Sequence, residues 1–476
     1  MHPLNKKITP FQIFRILWVI ILVFVTAWSM RLSPIWTGSI RQHRNQYEVM
    51  TESLLNGHLY MDIEVDEKLM EMENPYDPDL RHELGVNFKF DHAYYKGHYY
   101  MYFGVVPVFL LFLPFRLLFG RALSAYHATQ IFTALIIIGF FFLIDFLRKR
   151  FFPKMGNFIS TVMASAFSLA SVWYFADAPA LYCTAISAAV CMMVWSFYFY
   201  FRAVFDSFQF NKRIVFAVFG AFFGALAFGC RPPVALANIT VIPMFILFLR
   251  TNNVKKENFL KVSLIFLPYI VIGALLMAYN YLRFENPFEF GQIYQLTNYD
   301  QHAYNMKDGM ALFWQLNGFV KMFIANADLK NEFPYVQHAG IFFEYPIFII
   351  SLGALFFSAR VRSWLKQNHL LPIIIFSWAA VFIMTIFEIA MTPHVEERYH
   401  FDMLYLISLT SFLVLGSFYY IFEAKSIKNL NIFFFFLSVF VIITSVLLFF
   451  VPHDSNFTAY YPEVFEMIRE KTWMIK

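Results

Sequence analysis

Apolar runs of roughly 18 to 24 residues recur along the whole of this 476-residue chain, each long enough as a helix to cross about 30 Å of hydrocarbon. In lipid only helices and closed barrels satisfy their own backbone hydrogen-bonding groups, so runs of this length dictate helices. With 59% of residues hydrophobic and 14% charged, the composition lies far outside that of soluble domains. The sequence predicts an all-α, polytopic membrane protein of about eleven transmembrane helices, with no separate soluble domain at either end.

Orientation follows from the basic residues, which collect in cytoplasmic loops. With Lys6 and Lys7 inside, a first span from about Phe14 to Met30 carries the chain out. Its basic flank is like that of a signal peptide, but the run is long and lacks a small-residue cleavage site, so it reads as a retained span. Spans near 122–147, 156–174, 180–202, 213–230, 233–249, 262–281, 346–359, 370–391, 402–422 and 430–451 then alternate. The clusters Arg148 to Arg150 with Lys154, Lys212 with Arg213, Arg250 with Lys255, Lys256 and Lys261, Arg360 with Arg362 and Lys366, and Lys425 with Lys428 all fall inside. The N-terminus is expected in the cytoplasm and the C-terminus outside, across a plasma or inner membrane. Because the basic residues are those of the inner loops, the net charge of +5 carries no nucleic-acid message. Cys183, Cys191 and Cys230 sit in or beside apolar runs without CxxC spacing, which implies neither a disulfide framework nor a zinc site.

One apolar stretch breaks the alternation. Phe103 to Phe119 holds Pro107, Pro114 and Arg116, and if it crossed, Arg148, Lys149 and Arg150 would face outward. It is therefore expected to lie in the outer interface or to re-enter. The organisation is then a transmembrane domain over 1–451, with a first extracytoplasmic loop at 31–121 that includes this interfacial segment, a second at 283–345, and an extracytoplasmic tail at 452–476. All the long loops share one face, which points to a chamber there rather than to a pathway through the middle.

Candidate chemistry sits in those loops. RNQYEVMTESLLNG has Tyr47, Met50 and Leu54 on one helical face and Glu48 and Glu52 on another, with Gly57 as the stop. In NPYDPDLR the prolines hold an extended or turned backbone that aims Asp77 and Asp79, either at a ligand or at their own turn. FDHAYYKGHYYMYFG places Asp91 beside tyrosines at the lipid boundary, where partial desolvation favours proton acceptance, while Lys96 is near enough to hold it ionised instead. Tyr102 closes that segment, and its tyrosines serve equally as interfacial anchors. Arg231, Arg283 and Arg398 stand at the outer ends of different spans, suited either to a lipid-linked phosphate or to neighbouring acids such as Glu285, Glu289, Glu396 and Asp402. Asp177 is a further acid at an outer span end.

A basic N-terminus with one span, a long outer loop bearing an interfacial helix, a segment of the type YYxYFGxxP, and many spans with outer arginines resemble the integral-membrane glycosyltransferases of the GT-C fold. Within these, the chain is similar to bacterial relatives of the protein mannosyltransferases and of the aminoarabinose transferase. The likeness rests on NQYEVMTESLLNGHLYMD, NPYDPDLR, FDHAYYKGHYYMYFGVVPVFLLFLPF, RPPVALA, YNYLRFENPFEFG and EERYHFD, spread over most of the chain. It implies a GT-C-like fold and transfer of a sugar from a polyprenyl-phosphate donor to a lipid, glycan or protein hydroxyl on the extracytoplasmic face. A loop acid would deprotonate the acceptor, and cations would hold the departing phosphate. Where the family carries that acid, soon after the first span, this chain has HRNQY, His43 to Tyr47. The base is then sought at Asp91, with Glu52 and Asp77 in reserve, and substrate contacts at Lys96, Tyr102, Arg231, Arg283 and Arg398. The family's HPP or KPP string is likewise replaced by FGVVP, Phe103 to Pro107. No metal site is read, and a divalent cation stays open because outer acids serve as ligands or as lone bases. The competing class is a transporter or flippase, whose related halves and mid-membrane charges are not evident in the sequence. A non-catalytic assembly factor for a surface polymer is a third.

Overall fold

A computed structural model describes residues 9–30, 46–179, 181–252, 258–301, 309–325, 329–391, 396–452 and 457–472. Some helices begin where the sequence supplies a side-chain cap. α1 (Pro10–Ser29) starts with Thr9 and Gln12 in a reciprocal capping box and Pro10 in the first turn. After the loop come α2 (Gln46–Leu55) and a short apolar helix, α3 (Val108–Phe119). The next two long helices are α4 (Ala125–Phe151), capped by Ser124, and α5 (Asn157–Asp177). α6 (Tyr182–Phe205), α7 (Phe210–Phe228), α8 (Pro232–Thr251) and α9 (Leu267–Phe284) follow. A pair bent by 87°, Pro346–Phe357 with Ala359–Gln367, forms α10, and the set closes with α11 (Leu371–Ala390), α12 (Leu404–Ile421) and α13 (Ala424–Leu448).

Ten of these helices are long and apolar enough to cross a membrane, eleven with the bent pair, as the sequence predicts. α5, α6 and α12 are the centre, with about four fifths of each apolar window buried, whereas α1 is only 6% buried and rides at the edge. Since lipid supplies no hydrophobic drive between helices, α1 is pinned by polar contacts. Arg15 bonds Asp145, Trp18 Nε1 donates to Ser165 Oγ at 2.8 Å, and the Ala27 carbonyl accepts from Gln130 Nε2 at 2.7 Å. Cys183, Cys191 and Cys230 are buried thiols.

The charged groups separate onto two faces. On one, Arg150 donates to the Phe205 carbonyl, Arg213 to the carbonyls of Ala203 and Val204 and to Asn252, and Lys154 lies over the Tyr420 ring. These basic turns are the ones assigned to the cytoplasm, and they do share one end of the bundle. The bent arm Ala359–Gln367 lies on that face, where Trp364 stacks on Phe152 and Tyr420.

α3 spans twelve residues, about 18 Å of helix, too short to cross. Pro114 cannot donate to a carbonyl four back, and just before it the Leu113 N–H reaches the Val108 carbonyl in a wide turn. Arg116 leaves this apolar helix to pair with Glu52 of α2.

Candidate functional site

The outer loops form one layer over the helix ends. Ala93–Tyr95 and His98–Tyr100 pair as an antiparallel hairpin, β1 and β2, around a two-residue turn in which Lys96 and Gly97 have φ of 47° and 81°. That turn matches the twist of paired strands, and tyrosines on both sides favour them. The sequence reading took this stretch as a boundary segment and missed the hairpin, although KG between AYY and HYY was its signal. The second loop joins the same layer. Asp91 N–H donates to the Leu296 carbonyl at 3.0 Å, Leu296 N–H returns to His92 at 2.9 Å, and Tyr94 N–H meets Tyr294.

Beyond the hairpin the chain dives against the α7–α8 turn. A Cβ on Gly104 would stand 2.2 Å from the Gly229 carbonyl oxygen and 2.4 Å from that of Cys230, and Val106 N–H donates to Gly229 at 2.8 Å. Only glycine allows this approach, and it seats the Tyr102–Phe103 segment against the turn that carries Arg231. Gln46, fully buried at the start of α2, completes the anchorage: its Nε2 donates to the Asp91 carbonyl at 2.6 Å and its Oε1 accepts from Tyr102 N–H at 3.1 Å.

Asp91 itself is buried, in the left-handed region at φ 59°, and one carboxylate oxygen accepts from Gln295 Nε2 at 3.1 Å. The Tyr102 hydroxyl donates to Gln292. Burial pushes this phenol well up, opposed by the Arg231 cation, with Tyr399, Glu388 and Asp91 adding to the rise.

Arg231 makes a two-pronged contact with Asp402, Nε to Oδ1 at 2.7 Å and Nη2 to Oδ2 at 2.7 Å, and its Nη2 also reaches Glu388 Oε1 at 3.3 Å. Burial disfavours its charge, but the Asp402 and Glu388 carboxylates more than offset this and hold it protonated. Arg398 is held mainly by aromatic faces, 4.3 Å from the Tyr182 ring centroid and 5.3 Å from Tyr399, and meets Glu396 only at 3.8 Å. Arg231 lies 5.7 Å from the same Tyr399 ring, so two guanidiniums flank one tyrosine.

Of the residues singled out in the sequence, Asp91 and Tyr102 share the Gln46 anchorage, and Arg231 and Arg398 meet at the Tyr399 ring. Others lie apart. Lys96 is at the exposed hairpin tip, paired with Glu285 at 2.5 Å, and so does not hold Asp91. Glu52 is taken by Arg116 at 2.6 Å, and Asp77 caps the helix Pro78–Glu83 by accepting from the N–H groups of Asp79 and Leu80. Arg283 is buried between Tyr279 and Phe284, donating to the Met101 carbonyl at 2.9 Å and to Asn280 at 2.8 Å, which makes it a strut beneath the hairpin. His43, Arg44 and Asn45 lie outside the described residues. Gln46, Gln292 and Gln295, which hold the acid and the phenol, were missed because an uncharged glutamine leaves no mark in sequence until its partners are known.

A second group adjoins the first along 397–402. His338 Nε2 lies 3.3 Å from Glu397 and its Nδ1 3.8 Å from Glu344, with its ring stacked on Trp173 at 5.3 Å. Asp177, at the end of α5, has a buried oxygen without a hydrogen-bond partner among the described residues. Among those residues, no three or more His, Cys, Asp or Glu side chains are grouped as metal ligands would be.

No protein-family model and no curated protein matches the chain. Among solved structures it is similar to ArnT from Cupriavidus metallidurans bound to undecaprenyl phosphate, with 11% identity, a TM-score of 0.43, and coverage of 89% of this chain and 62% of that one. It is also similar to the Archaeoglobus fulgidus oligosaccharyltransferase, in its apo form with 11% identity and a TM-score of 0.46, and tethered with an acceptor peptide with 12% and 0.47. These two matches cover 90% of this chain but 56% and 55% of theirs, so it spans little more than half of the oligosaccharyltransferase. At such identities and TM-scores the likeness by itself settles no chemistry.

Proposed function

We propose that the chain is a membrane glycosyltransferase that moves a sugar from a polyprenyl-phosphate donor to a hydroxyl of a lipid, glycan or protein on the extracytoplasmic face. The observation that carries this reading is a buried loop acid, Asp91, tied through Gln46 to the Tyr102 segment, together with two guanidiniums, Arg231 and Arg398, that flank the Tyr399 ring. The motifs of the loop and the span ends, which resemble GT-C enzymes, support it independently.

In the reaction, the Asp91 carboxylate takes the proton of the acceptor hydroxyl as its oxygen bonds to the anomeric carbon. The bond from that carbon to the phosphate oxygen breaks, and the electron pair leaves with the polyprenyl phosphate. Arg398 takes the developing phosphate charge through its planar fork. Arg231, already engaged by Asp402 and Glu388, fixes the local field and the position of Tyr399. The gathering of all these groups at the face opposite the basic turns supports an outward-facing site.

The test is an Asp91→Asn variant of the full chain, reconstituted with a labelled polyprenyl-phosphate sugar and a hydroxyl acceptor. Loss of a general base lowers transfer by about 10²- to 10⁴-fold. Unchanged transfer removes Asp91 as the base. Movement of the lipid-linked substrate across the bilayer without any glycosidic bond being made would favour the transporter reading instead.

A further inference from the structure

Two crevices open on the outer rim of the bundle, and neither shares a residue with the Asp91 and Arg231 cluster. The larger, about 420 Å³, is lined by Phe115 of α3 and by Arg121, Ser124, His127 and Gln130 around the start of α4. The smaller, about 170 Å³, lies against α1 and is lined by Phe24, Ala27, Trp28 and, again, Gln130. Gln130 walls both, bridging the helices through Nε2 to the Ala27 carbonyl at 2.7 Å and the Tyr126 hydroxyl at 2.9 Å. They adjoin across Gln130, the larger bearing the polar side chains at the loop end and the smaller lying on the apolar face of α1.

Among the described residues, no acid lines either crevice. Arg121 is exposed, 5.9 Å from the Phe115 ring, and among the described residues no carboxylate comes within ion-pair distance of it. Beside it, Ser124 Oγ and His127 Nδ1 share a hydrogen bond of 2.6 Å. A guanidinium, an imidazole and a hydroxyl at the water boundary suit a phosphate oxyanion. Below them Phe24 and Trp28 are 68% and 52% exposed on the rim helix, where acyl chains run.

We propose that this crevice binds an anionic phospholipid of the outer leaflet, its headgroup phosphate between Arg121 and His127 and an acyl chain along Phe24 and Trp28 of α1. Charge decides the class of lipid. A headgroup with one net negative charge is matched by Arg121, whereas a zwitterionic one brings an ammonium toward the same guanidinium. The lipid would join α1, α3 and α4, three elements that meet at this rim, and so brace the interfacial helix on which α2 rests through the stacking of Tyr47 on Phe112.

The full-length protein in detergent micelles is examined by native mass spectrometry with phosphatidylglycerol and with phosphatidylcholine. Wild type is expected to retain phosphatidylglycerol preferentially, and Arg121→Gln to lose about fivefold in its retention, the effect of one basic residue near a membrane surface, with phosphatidylcholine unchanged. His127→Gln is expected to lower it less. Arg121 is exposed, so its variant should keep the wild-type thermal midpoint in lipid-free detergent. Equal retention of the two lipids by wild type, or undiminished phosphatidylglycerol retention by Arg121→Gln, overturns the proposal. Displacement of phosphatidylglycerol by millimolar inorganic phosphate overturns it in favour of a soluble anion. No sugar transfer is read, so the result is independent of the glycosyltransferase reading.

Discussion

Gly104→Ala tests how the site is held. The added Cβ would sit 2.2 Å from the Gly229 carbonyl oxygen, about 0.8 Å inside the 3.0 Å that real Cβ atoms keep, and the obstacle is backbone that no rotamer change can move. Relief requires the segment to lift from the α7–α8 turn, lengthening the 2.8 Å bond from Val106 N–H to Gly229. Overpacking of this kind costs about 1–3 kcal/mol, and a buried hydrogen bond left unmade adds about 1–3 kcal/mol. Because Tyr102 precedes this glycine by two residues, a shift approaching 1 Å would pull it from Gln46 and Gln292 and displace it relative to the turn that carries Arg231, enough to lower transfer about 100-fold. The assay pairs thermal unfolding in detergent with transfer from a labelled donor, and uses Gly273→Ala as the control, since a Cβ there meets nothing within 4 Å. If Gly104→Ala keeps wild-type stability and transfer, the close approach does not position the site and the reasoning fails.

Three further outcomes are expected. Asp402→Asn leaves a buried Arg231 with one carboxylate in place of two, and the thermal midpoint should fall by the equivalent of about 3–5 kcal/mol, more than for Glu388→Gln, whose contact is longer at 3.3 Å. Glu52→Gln removes only a half-exposed pair with Arg116, so transfer should stay within roughly twofold of wild type while Asp91→Asn loses it. Burial lowers the pKa of His338, but the carboxylates of Glu344 and Glu397 more than offset this and leave it raised. A raised folded value stabilises fully below the unfolded value near 6.5 and is lost as pH rises through the folded one, so the midpoint should decline above pH 6.5 in wild type and less in His338→Gln. His400, which burial shifts down, is still partly protonated when unfolded just above pH 6.5 and adds an opposing rise there, but it does so equally in wild type and His338→Gln, so the difference between the two reports His338.

Helix number and the basic turns that share one end of the bundle were legible because each follows from local composition. A span needs its own apolar run, and each basic turn, such as Arg148 to Arg150, marks its own side. α3 was legible for the same reason, through its length and Pro114. The site was legible only as candidates. Nothing near Asp77 in sequence distinguishes a helix cap from a base, and nothing near Glu52 reveals Arg116, sixty-four residues on.

Local sequence by itself thus determined what a bilayer enforces one segment at a time: a chain of many apolar helices long enough to cross it. Tertiary structure alone decided that Gln46, Gln292 and Gln295 hold Asp91 and Tyr102, that Asp402 and Glu388 claim Arg231, and that Arg283 is a strut. The physical reason is distance along the chain. Burial of a span follows from its own residues, but a hydrogen bond between Asp91 and Gln295, or an ion pair between Arg231 and Asp402, exists only once the helices between them have packed.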